Sequence, residues 1–253
     1  MLISFLRNSR KILLATCILL TSQISFAKGM PKEYYEIKDT NESKKYFFEY
    51  MYKRIEKENI KILSERNFVK SILNSNILSL NFSSERFKKL LKIKRKYRIK
   101  NVFTYEEYEK KIDIIPPSQA LAQAAVESGW GKSRFMKEAN NIFGHWTYNP
   151  RIGMLPEQRE IGATHFIRIF KTLQNSISAY MLNLNRNNAY KQFRKKRYEL
   201  RKSGIKPDGL TLSQTMLNYS GIAHEYLDIL QSVIKTNNLT NYDTKFYTKI
   251  NTQ

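Results

Sequence analysis

"SQALAQAAVESGWG", residues 118–131, is poor in large side chains, ends in Gly-Trp-Gly and carries one carboxylate, Glu127. On a helix from about Ser118, Glu127 shares a face with Ala120, Gln123 and Ala124, seven, four and three positions back. Small side chains there let other elements, or a ligand, approach the helix closely and leave the carboxylate standing clear. Gly129 and Gly131 end the helix, as glycine does beyond a C-terminus. Pro116-Pro117 force an extended entry, because each ring fixes its own φ and restricts the residue before it.

A carboxylate in this position is disfavoured as an anion. The partial negative charge at a helix C-terminus opposes a second negative charge by roughly 0.3–1 kcal/mol. An apolar wall from Trp130 would add a burial penalty of the same sign. Both effects raise the expected pKa of Glu127, which suits a group that must hold a proton near neutral pH and then give it up.

Outward from this segment the periodicity is mostly helical. Tyr46, Phe47, Tyr50, Met51 and Ile55 recur at helical spacing between Asn41 and Lys70, and an amphipathic stretch follows from Ile60 to Leu73. "LNFSSERFKKLL" opens a further helix with Ser83 or Ser84 as its cap. Leu91 to Lys100 alternates basic and mostly apolar residues and fits strand or frayed helix equally. After Gly131, "KSRFMKEA" reads as a short helix, and the Gly, Pro and Asn clusters from Asn140 to Phe170 read as a β-hairpin or small sheet. Helices return at about 173–184, 189–202, 211–219 and 224–237. The expected class is mainly α (α+β), with one small β excursion.

The first 27 residues differ from the rest. Arg7, Arg10 and Lys11 precede an apolar run from Ile12 to Leu20, then Ser25 and Ala27 offer small residues for cleavage. That order predicts a signal peptide, residues 1–27, and an exported chain in the periplasm, cell envelope or extracellular space. A run of nine apolar residues falls short of the ~20 needed to span a bilayer, so no integral span is expected after cleavage. Cys17 is the single cysteine and lies in this run, which leaves no disulfide for the mature chain. His145, His165 and His224 show no metal-ligand spacing, and neither a metal nor a cofactor is expected. The net charge of +22 becomes +19 once the three leader cations are gone. Such an excess attracts a polyanion, and export argues against nucleic acid and for an anionic wall surface.

"IPPSQALAQAAVESGWGKSRFMKEANNIFGHW", residues 115–146, resembles the catalytic segment of bacterial peptidoglycan N-acetylglucosaminidases of glycoside hydrolase family 73, Bax-type subgroup. The similarity extends over about Asn41 to Asn238, including "YMLNLNRNNAYKQFRKKRYELRKSG" and "LNYSGIAHEYLDILQSVIKTNN". It implies a lysozyme-like helical domain, residues 114–240, with a small β-lobe across the cleft from the acid. An N-terminal helical annex, 28–113, and a C-terminal tail, 241–253, complete the expected division. The resemblance places the catalytic acid at Glu127 and a second carboxylate in the β-lobe, at Glu160 or Glu157. It also brings Tyr219 near the acid. An alternative needs no second carboxylate, because the sugar's own 2-acetamido group can attack.

Trp130, Phe143, His145 and Trp146 are candidate sugar platforms, and aromatics after a turn serve equally as core. Asn140 and Asn141 fit sugar hydroxyls or turn geometry. The implied activity is hydrolysis of the β-1,4 bond after N-acetylglucosamine in peptidoglycan glycan strands. Competing readings are a muramidase or lytic transglycosylase on the same glycan, a non-catalytic wall-binding scaffold, and a cationic membrane-active protein.

Overall fold

A computed structural model describes residues 28–74, 81–156, 162–216, 219 and 223–252. The expected leader, residues 1–27, and both Glu157 and Glu160 lie outside them. Eleven α-helices run through the described residues: α1 (Lys32–Glu36), α2 (Thr40–Leu73), α3 (Glu85–Lys96), α4 (Tyr105–Lys111), α5 (Pro117–Ser128), α6 (Arg134–Ala139), α7 (Leu173–Arg186), α8 (Lys191–Lys202), α9 (Gly209–Ser213), α10 (Ala223–Thr236) and α11 (Thr240–Asn251). Between α6 and α7 lie β1 (Trp146–Thr147), β2 (Gly153–Met154) and β3 (Phe166–Arg168). They form an antiparallel sheet in the order β1-β3-β2, with Trp146 opposite Ile167 and Met154 opposite Ile167 on the other side. The fold is mainly α and lysozyme-like, a helical body with a small β-lobe, as the sequence implied. No helix of the described residues is long and apolar enough to cross a membrane.

Helix α5 sits at the centre and packs against α2, α9, α10 and α11. Ala120, Leu121, Ala122, Ala124 and Ala125 are all fully buried. Its thinness is what permits this crowding. Gly209 at the start of α9 comes so close that a Cβ there would lie 2.2 Å from Ser118 Oγ and 2.3 Å from the Gln119 nitrogen. The alanine face is therefore filled by neighbouring helices, and only its last turn meets the surface.

The stretches expected as annex, catalytic domain and tail share one core. One hydrophobic cluster runs from Met30 and Phe47 through Ala124 to Phe246 and Tyr247. Residues 240–251 form helix α11 on the flank of α5. Asp243 of α11 is buried, and it accepts from the Ser118 backbone nitrogen (2.8 Å), the Ser118 hydroxyl and the Gly209 nitrogen (3.1 Å). An anion there satisfies donors that Pro116, as cap residue, cannot reach, and it meets the positive end of the helix dipole. Burial pushes the Asp243 carboxyl up to about 6, against the opposing effect of these hydrogen bonds.

The two N-terminal amphipathic stretches are one 34-residue helix, α2, capped by Asp39, whose side chain accepts from Glu42 N. Leu91 to Lys96, ambiguous in sequence, is the end of α3, because Leu90 and Ile93 face the core; Ser84 is the cap, accepting from Phe87 N. The predicted helix over 211–219 is shorter and earlier, at Gly209–Ser213, where Asp208 caps it through Thr211 N.

A second buried anion ties α4, α2 and α8 together. Asp113 receives Arg201 through two hydrogen bonds of 2.6 and 2.8 Å, with Arg197 at 3.8 Å and Arg66 at 3.9 Å. Burial alone would raise this carboxyl, but the three guanidiniums outweigh it and hold Asp113 below its ordinary value. Asp243→Ala should destabilise the chain by about 1–3 kcal/mol, since it strands the Ser118 and Gly209 donors in a dry interior. Chemical denaturation at pH 7 measures this.

Candidate active site

Three consecutive left-handed residues follow α5: Gly129 (φ 54°), Trp130 (φ 58°) and Gly131 (φ 78°). They reverse the chain just after Glu127. The reversal is bonded at both ends, with Trp130 N donating to Ala125 O (2.8 Å) and Gly131 N to Ser128 Oγ (2.7 Å). Tyr34 of α1 donates to Trp130 O and Tyr35 to Gly131 O (3.1 Å), so the N-terminal segment holds the loop from outside.

This reversal also corrects the expectation for Trp130. Its ring turns away from Glu127 and packs edge-on against Phe47 and Phe48 of α2, with the Lys44 ammonium 4.9 Å from the ring centre. The left-handed backbone points the side chain at the annex, and Trp130 does not line the cleft beside Glu127. It anchors α5 to α2.

Glu127 is half-buried at the floor of a cleft of about 900 Å³, lined also by Phe143, Gly144, His145, Trp146, Arg168, Asn183, Arg186, Tyr190 and Tyr219. Its Oε1 accepts from Tyr226 of α10 at 2.7 Å. Gly144, at φ 63°, passes so close that a Cβ would sit 4.0 Å from Oε2. Burial raises the Glu127 pKa above the ordinary value, and the Tyr226 bond partly opposes it. The expected direction holds, but the apolar surroundings come from a group of rings. Tyr219 lies parallel to Tyr226 at 5.6 Å, and Phe143 stacks on Tyr180 at 3.8 Å.

Behind Tyr226 runs a buried line of amides and hydroxyls. Gln123 Nε2 donates to Tyr226 Oη (3.0 Å), while Gln123 Oε1 accepts from Tyr180 (2.6 Å) and from Gln119 Nε2 (2.9 Å). With Gln123 supplying its proton, Tyr226 is left to donate to Glu127. Gln123 lies one turn before Glu127 on its face of α5, a spacing visible in sequence; nothing in sequence shows that Tyr226, 99 residues on, comes between them. Tyr219 lines the cleft as expected, yet the hydroxyl bonded to the acid belongs to Tyr226. Burial and the charge of Glu127 push the Tyr219 hydroxyl well above its usual value.

The two asparagines are committed to the fold. Asn141 is buried, accepts from His145 N (2.9 Å) and donates to His145 O (2.8 Å) and Arg168 O (2.9 Å). That uses both amide protons in a buried side chain that does not line the cleft, so in place of the substrate-binding expectation Asn141 serves a turn that fastens β3. Asn140, left-handed at φ 51°, accepts from Gly29 N (2.9 Å) and donates to Phe170 O and Lys171 O. His145 is held neutral: burial first, then Arg168, bring its pKa down to about 4. Phe143 is 5% exposed and forms cleft wall, whereas Trp146 is 62% exposed and lies parallel to His165 at 4.1 Å. Among the described residues, no group of three His, Cys, Asp or Glu side chains is placed to share a metal ion.

A half-buried carboxyl at a helix end, in a cleft lined also by Trp146 and Arg168 of the β-lobe, is an arrangement suited to a glycosidase of lysozyme-like build. The model of the family described as "Glucosaminidase: Mannosyl-glycoprotein endo-beta-N-acetylglucosaminidase" matches residues 102–239, and the chain belongs to the glucosaminidase family. It is similar to "Protein bax" of Escherichia coli (strain K12), 29% identical over 199 residues, which cover 77% of this chain and 69% of that protein. No solved structure matches.

Tyr226→Phe should raise the Glu127 pKa further, because the bond it removes favours the ionised carboxyl. Carbon NMR of the Glu127 carboxyl across a pH titration reads the midpoint.

Proposed function

We propose that the protein is an exported peptidoglycan hydrolase that cuts the β-1,4 bond after N-acetylglucosamine, with Glu127 as general acid. The observation that carries this reading is the raised pKa of Glu127 together with its place on the floor of the cleft. A protonated Glu127 donates its proton to the oxygen between two sugars as the C1–O bond breaks, and positive charge develops at C1 of the N-acetylglucosamine while the protonated sugar departs. Tyr226, bonded to Oε1, keeps the carboxyl in one rotamer before transfer and stabilises the carboxylate left afterwards. Trp146 presents an exposed ring at the cleft edge, suited to stack on a pyranose face.

Completion of the reaction requires attack at C1. Glu127 is the one acid among the described cleft-lining residues, which favours either the sugar's acetamido group or a β-lobe carboxylate, Glu160 or Glu157, as the assisting group. The same observation supports the second reading, a lytic transglycosylase that works with one carboxylate and leaves an anhydro end. The excess of cations holds the enzyme on an anionic wall.

Glu127→Gln should lower the rate of release of soluble fragments from purified peptidoglycan by roughly 10²–10⁴-fold, the usual weight of a general acid. Unchanged release would remove the assignment. Mass spectrometry of the wild-type digest should show reducing N-acetylglucosamine ends; anhydro ends would move the reading to the transglycosylase. For the wild-type enzyme, kcat/KM should fall as pH rises through the raised pKa of Glu127, because the proton to be donated is then lost.

A further inference from the structure

Two guanidiniums share the cleft with Glu127. Arg168 comes from β3 in the lobe and Arg186 from the last turn of α7. Neither forms an ion pair with any described acid, in a chain where Asp113 alone gathers three arginines. Arg186 is held in place by one hydrogen bond, from Nη1 to the carbonyl of Lys96 at the end of α3 (3.3 Å), which leaves most of its donors uncommitted. Arg168 lies over the Phe170 ring, with its central carbon 4.7 Å from the ring centre. Burial, then the nearby charges of Arg98 and Arg168, lower the Arg186 pKa, so these cations crowd one another.

Like charges clustered in a partly desolvated cleft destabilise the empty protein, and an arriving carboxylate relieves that repulsion. A glycan of N-acetylglucosamine alone is neutral. A muramic sugar differs from it in the lactyl arm on its 3-oxygen, which carries an acid either directly or through an attached peptide. We propose that Arg168 and Arg186 form a carboxylate-binding subsite in the Glu127 cleft, which takes the acid carried on the lactyl arm of a muramic sugar and so selects wall glycan over neutral chitin-like strands. The proposal rests on the peptidoglycan reading above. It also gives the annex a part in recognition, because the Lys96 carbonyl of α3 orients Arg186.

The test uses three ligands: strands bearing stem peptides, strands whose stems an amidase has removed to leave free lactyl carboxylates, and neutral chitooligosaccharides. Binding is measured by calorimetry on the Glu127→Gln protein, with and without Arg168→Gln and Arg186→Gln together, so the readout does not depend on turnover. Expected is a loss of about tenfold or more in affinity for the acidic strands, the scale of a lost charge-assisted hydrogen bond, and a smaller loss, under about threefold, for the neutral oligomer. The stem-bearing and stripped arms show whether the acid is that of the peptide or of the lactyl group. Equal losses on all three ligands, or none on either acidic strand, would overturn the subsite. Lysine at both positions, which keeps charge but not the planar fork, should restore part of the affinity and controls for folding. Failure of wild-type protein to cleave any strand would sink the hydrolase reading while leaving this binding comparison intact.

Discussion

The close packing of α5 is the constraint on which the molecule depends. A helix flanked by α2, α9, α10 and α11 needs small side chains where its neighbours come close, and Ala120, Ala122, Ala124 and Ala125 meet that demand, while the buried Gln119 and Gln123 are hydrogen-bonded. Where the neighbours stop, at its last turn, Glu127 emerges. The carboxyl stands at the boundary between a dry interior and an open cleft, which is why burial raises its pKa while a ligand can still reach it.

Both ends of this helix are held by residues remote in sequence. Asp243 supplies the acceptor at its N-terminus, 125 residues away, and Tyr34 clasps the loop after its C-terminus from 96 residues before. The residues expected as annex and tail thus act directly on the position of the acid. Arg66 of α2 and Arg201 of α8, joined through Asp113, brace the same assembly one layer out.

Chemistry at the site follows from hydrogen-bond direction. Gln123 has one amide nitrogen and one oxygen to offer; the oxygen takes protons from Tyr180 and Gln119, and the nitrogen gives one to Tyr226. That leaves the Tyr226 hydroxyl free to donate toward Glu127. The cleft wall adds rings and, through Arg168 and Arg186, positive charge. An acid that holds its proton and cations without an ion pair to any described acid are both suited to an oxygen-rich, negatively charged polymer.

Much of this was legible in the chain. Alanine spacing, the diproline entry and the Gly-Trp-Gly stop defined α5 and singled out Glu127, because they act through local backbone geometry and side-chain size. The mainly α class and the small sheet followed from periodicity, and the family from the 115–146 segment. Tertiary structure decided which way the side chains face: three left-handed residues turned Trp130 toward α2, and turn bonds absorbed Asn141. It also decided that Tyr226, rather than Tyr219, is the hydroxyl bonded to the acid, since partners about a hundred residues apart leave no periodic trace.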